Sequence, residues 1–104
     1  MELSQIKQEL SQVEQAIHRA AQVVQTDSAA QAELRNYVKE LDEKSKQAQQ
    51  MQDPARLTQF IDAMEATGER AKSVCERNSK LATPTKSAIE LACQRLASLK
   101  QHVH

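Results

Sequence analysis

The sequence is poor in the residues that form turns, sheets and ligand pockets. Tryptophan is absent, Tyr37 and Phe60 are the only aromatic residues, and there are one glycine and two prolines. A β-rich or α/β fold would need more Gly, Pro and Asn at its turns. Ligand pockets are usually lined by large hydrophobic and aromatic side chains. We therefore expect neither a sheet fold nor a small-molecule substrate or cofactor.

Long apolar runs and secretory features are also missing. No apolar run approaches the ~20 residues that a membrane-spanning helix needs. The first residues have neither the basic region nor the apolar region of a secretory signal. Cys75 and Cys93 are the only cysteines, and reducing compartments leave such thiols free. We expect a cytoplasmic protein that does not bind membranes.

An apolar stripe with alternating steps of three and four residues starts almost at the first residue. It consists of Leu3, Ile6, Leu10, Val13, Ile17, Ala20 and Val24. This spacing places the side chains on one helix face, which must be buried against other helices. Helix-favouring residues dominate the remaining positions. Because 104 residues suffice for one core, we predict an all-α fold with a single helical-bundle domain over residues 1–104.

Cap and turn residues divide the chain into four helical segments. Asp53-Pro54 and Thr83-Pro84 each join a capping side chain to a proline, which is favoured in a first turn. Residues 26–28 compete with a helix for backbone hydrogen bonds, and Ser28 is the predicted N-cap of the second segment. The predicted helices are 2–25, 28–52, 54–82 and 84–103. Similar lengths and short connections predict an antiparallel up-down four-helix bundle.

The joint between the first two segments allows a second interpretation. The heptad phase of the first helix continues through this joint, with Asp27 and Gln31 as polar interruptions, to Leu34, Val38, Leu41 and Ala48. One helix over residues 2–51 would then leave three helices and a rod of ~75 Å. Consecutive Thr, Asp and Ser are unfavourable inside a helix, so the broken form is the one we predict. No glycine ends the first helix, however, and the alternative stays open.

Motifs of catalytic and metal sites are missing. The sequence has no Gly-rich phosphate loop, no nucleophile elbow and no His-Glu-x-x-His motif. A metal site needs three or four converging ligands, whereas His102 and His104 are two side chains on what we interpret as a frayed terminus. We predict a non-enzymatic protein without metal or cofactor.

His18 and the two cysteines are the side chains that we consider as candidates for covalent chemistry. A histidine on a four-helix bundle can carry a phosphoryl group, but the Lys-Gly that usually follows such a histidine is absent after His18. We favour a solvated surface histidine, with a phosphotransfer module at His18 as the alternative.

Cys75 and Cys93 take equivalent flanking positions on the third and fourth helices. Burial alone explains both, so we predict reduced, structural thiols.

Charge is unevenly distributed although the formal net charge is zero. Residues 1–65 hold seven basic and eleven acidic residues, giving −4, and residues 66–104 hold seven and three, giving +4. The basic residues near the predicted turn between helices 3 and 4 are Arg70, Lys72, Arg77, Lys80 and Lys86. This patch favours an acidic protein partner. A nucleic-acid-associated protein is the alternative, although no interleaved aromatic residue is available for base stacking.

Leu91 is the apolar residue that fits its helix least well. It lies about 200° from Ile89, whose stripe the fourth helix buries. Lys86 and Arg95 lie within five residues on either side, so the pattern predicts an apolar anchor with a basic rim. We expect a protein partner, or a second copy, to bind this helix face. The predicted contact residues are Leu91, Lys86, Arg95, Arg77 and Lys80.

Overall fold

Four antiparallel α-helices form the part of the chain that the structure describes, as the sequence predicts. The computed structural model describes residues 2–104, and its helices are α1 (Leu3–Thr26), α2 (Ala32–Gln50), α3 (Pro54–Arg77) and α4 (Thr83–Val103). Each helix packs on the next one along the chain, and α4 packs back on α1. The helices therefore form a ring of four around one core. Within residues 2–104, no helix is both long enough and apolar enough to cross a membrane.

The chain reverses direction between α1 and α2. The radius of gyration is 13.3 Å and the extents are 41 × 20 × 18 Å, close to the roughly 13 Å expected for a folded monomer of this length. A rod of ~75 Å does not fit these dimensions. The alternative prediction of one helix over residues 2–51 is therefore wrong for a single copy of the chain.

Asp27, rather than Ser28, organises this reversal. The Asp27 side chain accepts a hydrogen bond from the Ala29 amide at 2.9 Å, and the Asp27 carbonyl accepts one from the Ala30 amide at 3.1 Å. Ser28 lies in the turn, and α2 begins four residues later at Ala32. The predicted cap at Ser28 is therefore wrong, because the backbone donors of the turn are satisfied by Asp27 instead.

The start of α3 agrees with the prediction from the sequence, and its end does not. Asp53 accepts a hydrogen bond from the Ala55 amide at 3.0 Å, with proline at the first helical position, so this start is confirmed. The helix ends at Arg77 rather than at residue 82, because Asn78 leaves helical geometry and its side chain donates to the Ala29 carbonyl at 2.9 Å. The next helix begins at Thr83, one residue earlier than predicted.

The core is aliphatic and closely packed. The predicted α1 stripe is buried at Ile6, Leu10, Val13, Ile17, Ala20 and Val24. On α3, Ile61 is fully buried and its neighbour Phe60 is half-buried against the core. A cavity of only about 10 Å³ lies at the centre, lined by side chains such as Ile17, Val38 and Ile89. Such a volume has room for at most about one water molecule.

Candidate interaction surface

The outer face of α4 carries an exposed leucine. Leu91 is 41% exposed, and it is the one large hydrophobic residue classed as exposed among residues 2–104. The helical repeat places other exposed residues beside it. We define the α4 outer face as Pro84, Ser87, Leu91, Gln94, Arg95 and Ser98, all of them exposed. The predicted exposure of Leu91 is therefore confirmed.

This face belongs to the one helix of the four that has a net charge. Lys86, Arg95 and Lys100 against Glu90 give α4 a formal charge of +2. The other helices balance, since α1 has two basic and two acidic residues and α2 and α3 each have four of either sign. Lys100 is paired with Glu65 on α3 at 3.4 Å, whereas Arg95 donates to the neutral side chain of Gln12 at 3.4 Å. Arg95 therefore adds positive charge beside Leu91.

The structure brings Arg95, but not Lys86, to the side of Leu91. Arg95 borders a groove of about 220 Å³ between α1 and α4, which is lined by Glu9, Gln12, Val13, Arg95, Ser98 and Leu99. Lys86 precedes Leu91 by five residues, which turns it roughly 140° away at 3.6 residues per turn. It lies on the α3 side, where its charge lowers the pKa of Cys75 against a larger rise from burial.

Arg77 and Lys80 form a separate basic region at the end of the bundle. Arg77 donates to the Ser73 carbonyl at 3.3 Å and borders the groove between α2 and α3, beside Glu33. Lys80 is exposed in the turn before α4, where its amide donates to the Asn78 side chain at 3.0 Å. The structure therefore separates Arg77 and Lys80 from Leu91 and Arg95, and Lys86 lies apart from both pairs on the α3 side of α4.

Asp27 connects the two turns at this end of the bundle. Its carboxylate accepts hydrogen bonds from the Thr85 hydroxyl at 2.7 Å and the Ala82 amide at 3.0 Å. These bonds, led by the one from Thr85, lower the pKa of Asp27 below its usual value against some desolvation. Thr85 is only 1% exposed, so its hydroxyl could not donate to water in place of the Asp27 carboxylate. Sequence reasoning missed this contact because its partners are 55 or more positions apart.

Each of the three histidines contacts a carboxylate on a neighbouring helix. The pairs are His18–Asp42 at 3.4 Å, His102–Glu9 at 2.9 Å and His104–Asp62 at 2.7 Å. The expectation of a frayed C-terminus is wrong, because α4 stays helical to Val103 and both terminal histidines contact adjacent helices. No group of three His, Cys, Asp or Glu side chains within residues 2–104 is arranged to hold a metal ion.

Both cysteines are free and buried at the contact between α3 and α4. The Cys93 thiol donates to the Gly68 carbonyl at 3.2 Å. Burial, with smaller contributions from nearby acidic groups including Glu69, raises the pKa of Cys93 to about 11. Burial also raises the pKa of Cys75. Both thiols are therefore neutral at pH 7, whereas nucleophilic or metal-binding chemistry needs the thiolate.

We expect the free energy of unfolding to decrease as the pH rises from 9 toward 11. The unfolded chain releases the Cys93 proton near 9.0, whereas the folded chain retains it up to about 11. Alkaline pH therefore favours the unfolded state. Urea unfolding of the protein and of Cys93→Ala across this pH range measures the effect. The variant should lose less stability than the natural chain, and equal losses would contradict the assignment.

Comparison with protein-family models, with curated protein sequences and with solved structures finds no match to this chain. The fold follows from the helices and their contacts alone.

Proposed function

We propose that the protein is a non-enzymatic helical bundle that binds another protein through the α4 outer face. The observation that carries the proposal is an exposed leucine on the one helix with a net positive charge. Binding hot spots combine a central apolar anchor with a polar rim that excludes water. Leu91 supplies the anchor, and Arg95 with the exposed Ser and Gln residues supplies the rim.

The charge of α4 favours an acidic amphipathic partner over a second copy. A two-fold dimer through this face would place the same patch of each copy against the other. Each copy would then bring the positive charge of its own Arg95 to the interface, and like charges across an interface are unfavourable. An acidic helix with one apolar face complements both Leu91 and Arg95. Self-association through this face is the less favoured form of the proposal.

The cavities support binding rather than chemistry on a small molecule. The central cavity of about 10 Å³ is apolar, and the larger surface grooves have volumes of about 160 to 240 Å³. Small-molecule sites are typically concavities of roughly 300–1,000 Å³. We accordingly propose no small-molecule substrate and no cofactor.

Nucleic-acid binding at the turn between α3 and α4 is the second candidate function. Arg77 and Lys80 are exposed there, which supplies positive charge for phosphate contacts. Glu33 and Glu69 border the same groove as Arg77, however, and reduce the positive potential. A salt titration with generic DNA or RNA distinguishes the candidates, because phosphate neutralisation gives a steep dependence of affinity on salt.

Phosphotransfer at His18 has less support from the local geometry. The imidazole is about half exposed, but its Nδ1 lies 3.4 Å from the Asp42 carboxylate and its Nε2 lies 3.3 Å from the Gln22 amide. A phosphoryl group on Nδ1 would place negative charge beside that carboxylate. An acid-labile phosphorylation assay tests this function directly.

We also propose a cytoplasmic location. Cys75 and Cys93 are buried and unbridged on adjacent helices, which suits a compartment that keeps thiols reduced. Cell fractionation with an antibody against the bundle tests the proposal.

Replacing Leu91 with glutamate should abolish partner binding without unfolding the protein. The substitution removes the apolar anchor and adds a negative charge that repels an acidic partner, and loss of a hot spot weakens binding by at least roughly tenfold. The measurement is capture of partners from a cell extract, followed by affinity measurement with the captured protein. The circular dichroism spectrum and thermal midpoint should be nearly unchanged.

Ala66→Glu provides the matched control, because Ala66 is exposed on α3, away from the α4 outer face. It adds the same charge and should preserve binding. Equal binding by the natural chain and Leu91→Glu would overturn the proposal. Unfolding of Leu91→Glu would show that Leu91 belongs to the core.

A further inference from the structure

The buried stripe of α1 continues into α2 without a change of phase. Steps of three and four residues alternate through Leu3, Ile6, Leu10, Val13, Ile17, Ala20, Val24, Asp27, Gln31, Leu34, Val38, Leu41, Ser45 and Ala48. All of these positions are buried except Leu3, Asp27 and Gln31. A hairpin of two helices does not require this continuity, because each helix is oriented by its own contacts. The sequence therefore contains a pattern that the closed monomer does not use.

The turn between α1 and α2 is compatible with a helix. Residues 27–31 contain no glycine or proline, and no residue in the described part of the chain has a positive φ. Asp27 has φ −88° and ψ 111°, and Gln31 has φ −75° and ψ 157°. At both residues φ is already close to helical values, so the main change needed is in ψ. Ala29 and Ala30, in the middle of the turn, are the best helix-forming residues.

We propose that two copies of the chain can exchange α1. In the exchanged dimer residues 27–31 become helical, and α1 and α2 join into one helix over residues 3–50, about 72 Å long at 1.5 Å per residue. Each α1 then packs on the α2 and α4 of the other copy, as it packs on its own α2 and α4 in the monomer. The partner is a second copy of this chain, since every contact that α1 makes in the monomer is available in the dimer. Exchange of an identical element is a low-cost route to dimers.

Continuous heptad phase is what this dimer requires. The two bundles lie end to end along one axis, and both long helices run through both bundles. A helix that crosses two coaxial bundles must present the same face to the axis along its whole length. A shift of phase at the turn would expose either the α1 stripe or the α2 stripe to solvent. The observed register avoids this shift.

Asp27 and Gln31 oppose the exchange. In the monomer, the Asp27 carboxylate is held by the Ala82 amide and the Thr85 hydroxyl, and these bonds close the turn. In the long helix both residues occupy stripe positions at the junction of the two bundles. Burial of an unpaired carboxylate is unfavourable there. The closed monomer therefore dominates in dilute solution, and the dimer forms when the concentrated chain is unfolded and refolded.

The Asp27→Leu, Gln31→Leu double variant tests the proposal by removing both obstacles. It completes the apolar stripe, so light scattering after size-exclusion chromatography should give twice the 11.7 kDa mass of the chain. A monomeric double variant would overturn the proposal. Should it precipitate, the natural chain refolded at high concentration provides the same comparison.

Adding Ala32→Pro to this double variant provides the matched control. Ala32 is the first residue of α2, where proline is favoured, and the extended geometry of Gln31 is suited to a following proline. In a continuous helix the same proline would remove a hydrogen bond and clash with the carbonyl of Ser28. The triple variant should therefore be a monomer with the helical content of the natural chain. A triple variant that dimerises equally would show that the new leucines associate at the surface, and this would overturn the exchange.

A distance within one chain identifies the exchanged form directly. In the monomer the ends of α1 and α2 lie side by side, since the Lys7 ammonium donates to the Gln49 carbonyl at 2.7 Å. Spin labels on Gln8→Cys and Gln50→Cys, in a chain whose natural cysteines are replaced by alanine, should move to about 63 Å apart in the long helix. Each labelled chain is refolded at high concentration with excess unlabelled chain, and the dimer is isolated. A short distance alone in that dimer would overturn the proposal.

Discussion

Replacing Ile17 with alanine should lower the free energy of unfolding by ~2–5 kcal/mol. Ile17 is completely buried on α1 and borders the small central cavity. The structure around a truncated core side chain relaxes only in part, so the enlarged cavity adds to the free energy lost with the burial of the removed atoms. Urea unfolding at pH 7 measures the change from the transition midpoint and slope.

Leu91→Ala is the matched control for the core substitution. It also shortens an aliphatic side chain to alanine, but at a position that is 41% exposed. Surface substitutions usually change stability by less than about 0.5 kcal/mol. If Ile17→Ala cost no more than Leu91→Ala, the α1 stripe would not form the core.

A second large loss of stability is expected from Asp27→Asn, and it should depend on pH. An asparagine side chain has one acceptor oxygen where the Asp27 carboxylate has two. It cannot accept all three hydrogen bonds from the Ala29 amide, the Ala82 amide and the Thr85 hydroxyl, and of these donors the Thr85 hydroxyl is buried. The folded pKa of Asp27 is lowered. The Asp27 carboxylate therefore stabilises the folded state fully at pH values above its unfolded pKa of about 3.9. This stabilisation is lost as the pH falls through its folded pKa.

Thermal unfolding of the protein and Asp27→Asn between pH 7 and pH 2 measures this difference. The gap between their midpoints should be widest at neutral pH and should narrow at the acidic end. Asp53→Asn is the control, because Asp53 caps α3 without a contact to another turn and asparagine caps about as well as aspartate. A gap that stays constant with pH would contradict the role of the Asp27 carboxylate.

The parts of the fold that could be predicted from the sequence depend on local signals. The α1 stripe is confirmed since its heptad spacing already defines the buried face. Asp53 and Pro54 identify the start of α3 for the same reason, because a cap and its helix are adjacent in the chain. Leu91 was predicted to be exposed from its angle on the helix, which depends only on the helical repeat.

The remaining features depend on which residues folding brings together. Asn78 ends α3 early by contacting the α1–α2 turn 49 positions away, and no local pattern indicates this contact. Lys86 was assigned to the surface around Leu91 from its closeness in sequence, although five residues place it on another side of α4. The contact between His104 and Asp62 likewise follows from the packing of α4 on α3.

The ring of four helices also has a consequence for the rate of folding. Three of its four contacts join helices that follow one another in the chain, and only α1 with α4 brings distant segments together. Closing the short loops of these three sequential contacts costs little chain entropy, so helical hairpins can form before the ring is complete. Docking of α4 on α1 is the step that carries the largest loss of chain entropy. Folding should therefore be fast, in the microsecond-to-millisecond range of helical bundles, and closure of the α1–α4 contact should limit its rate.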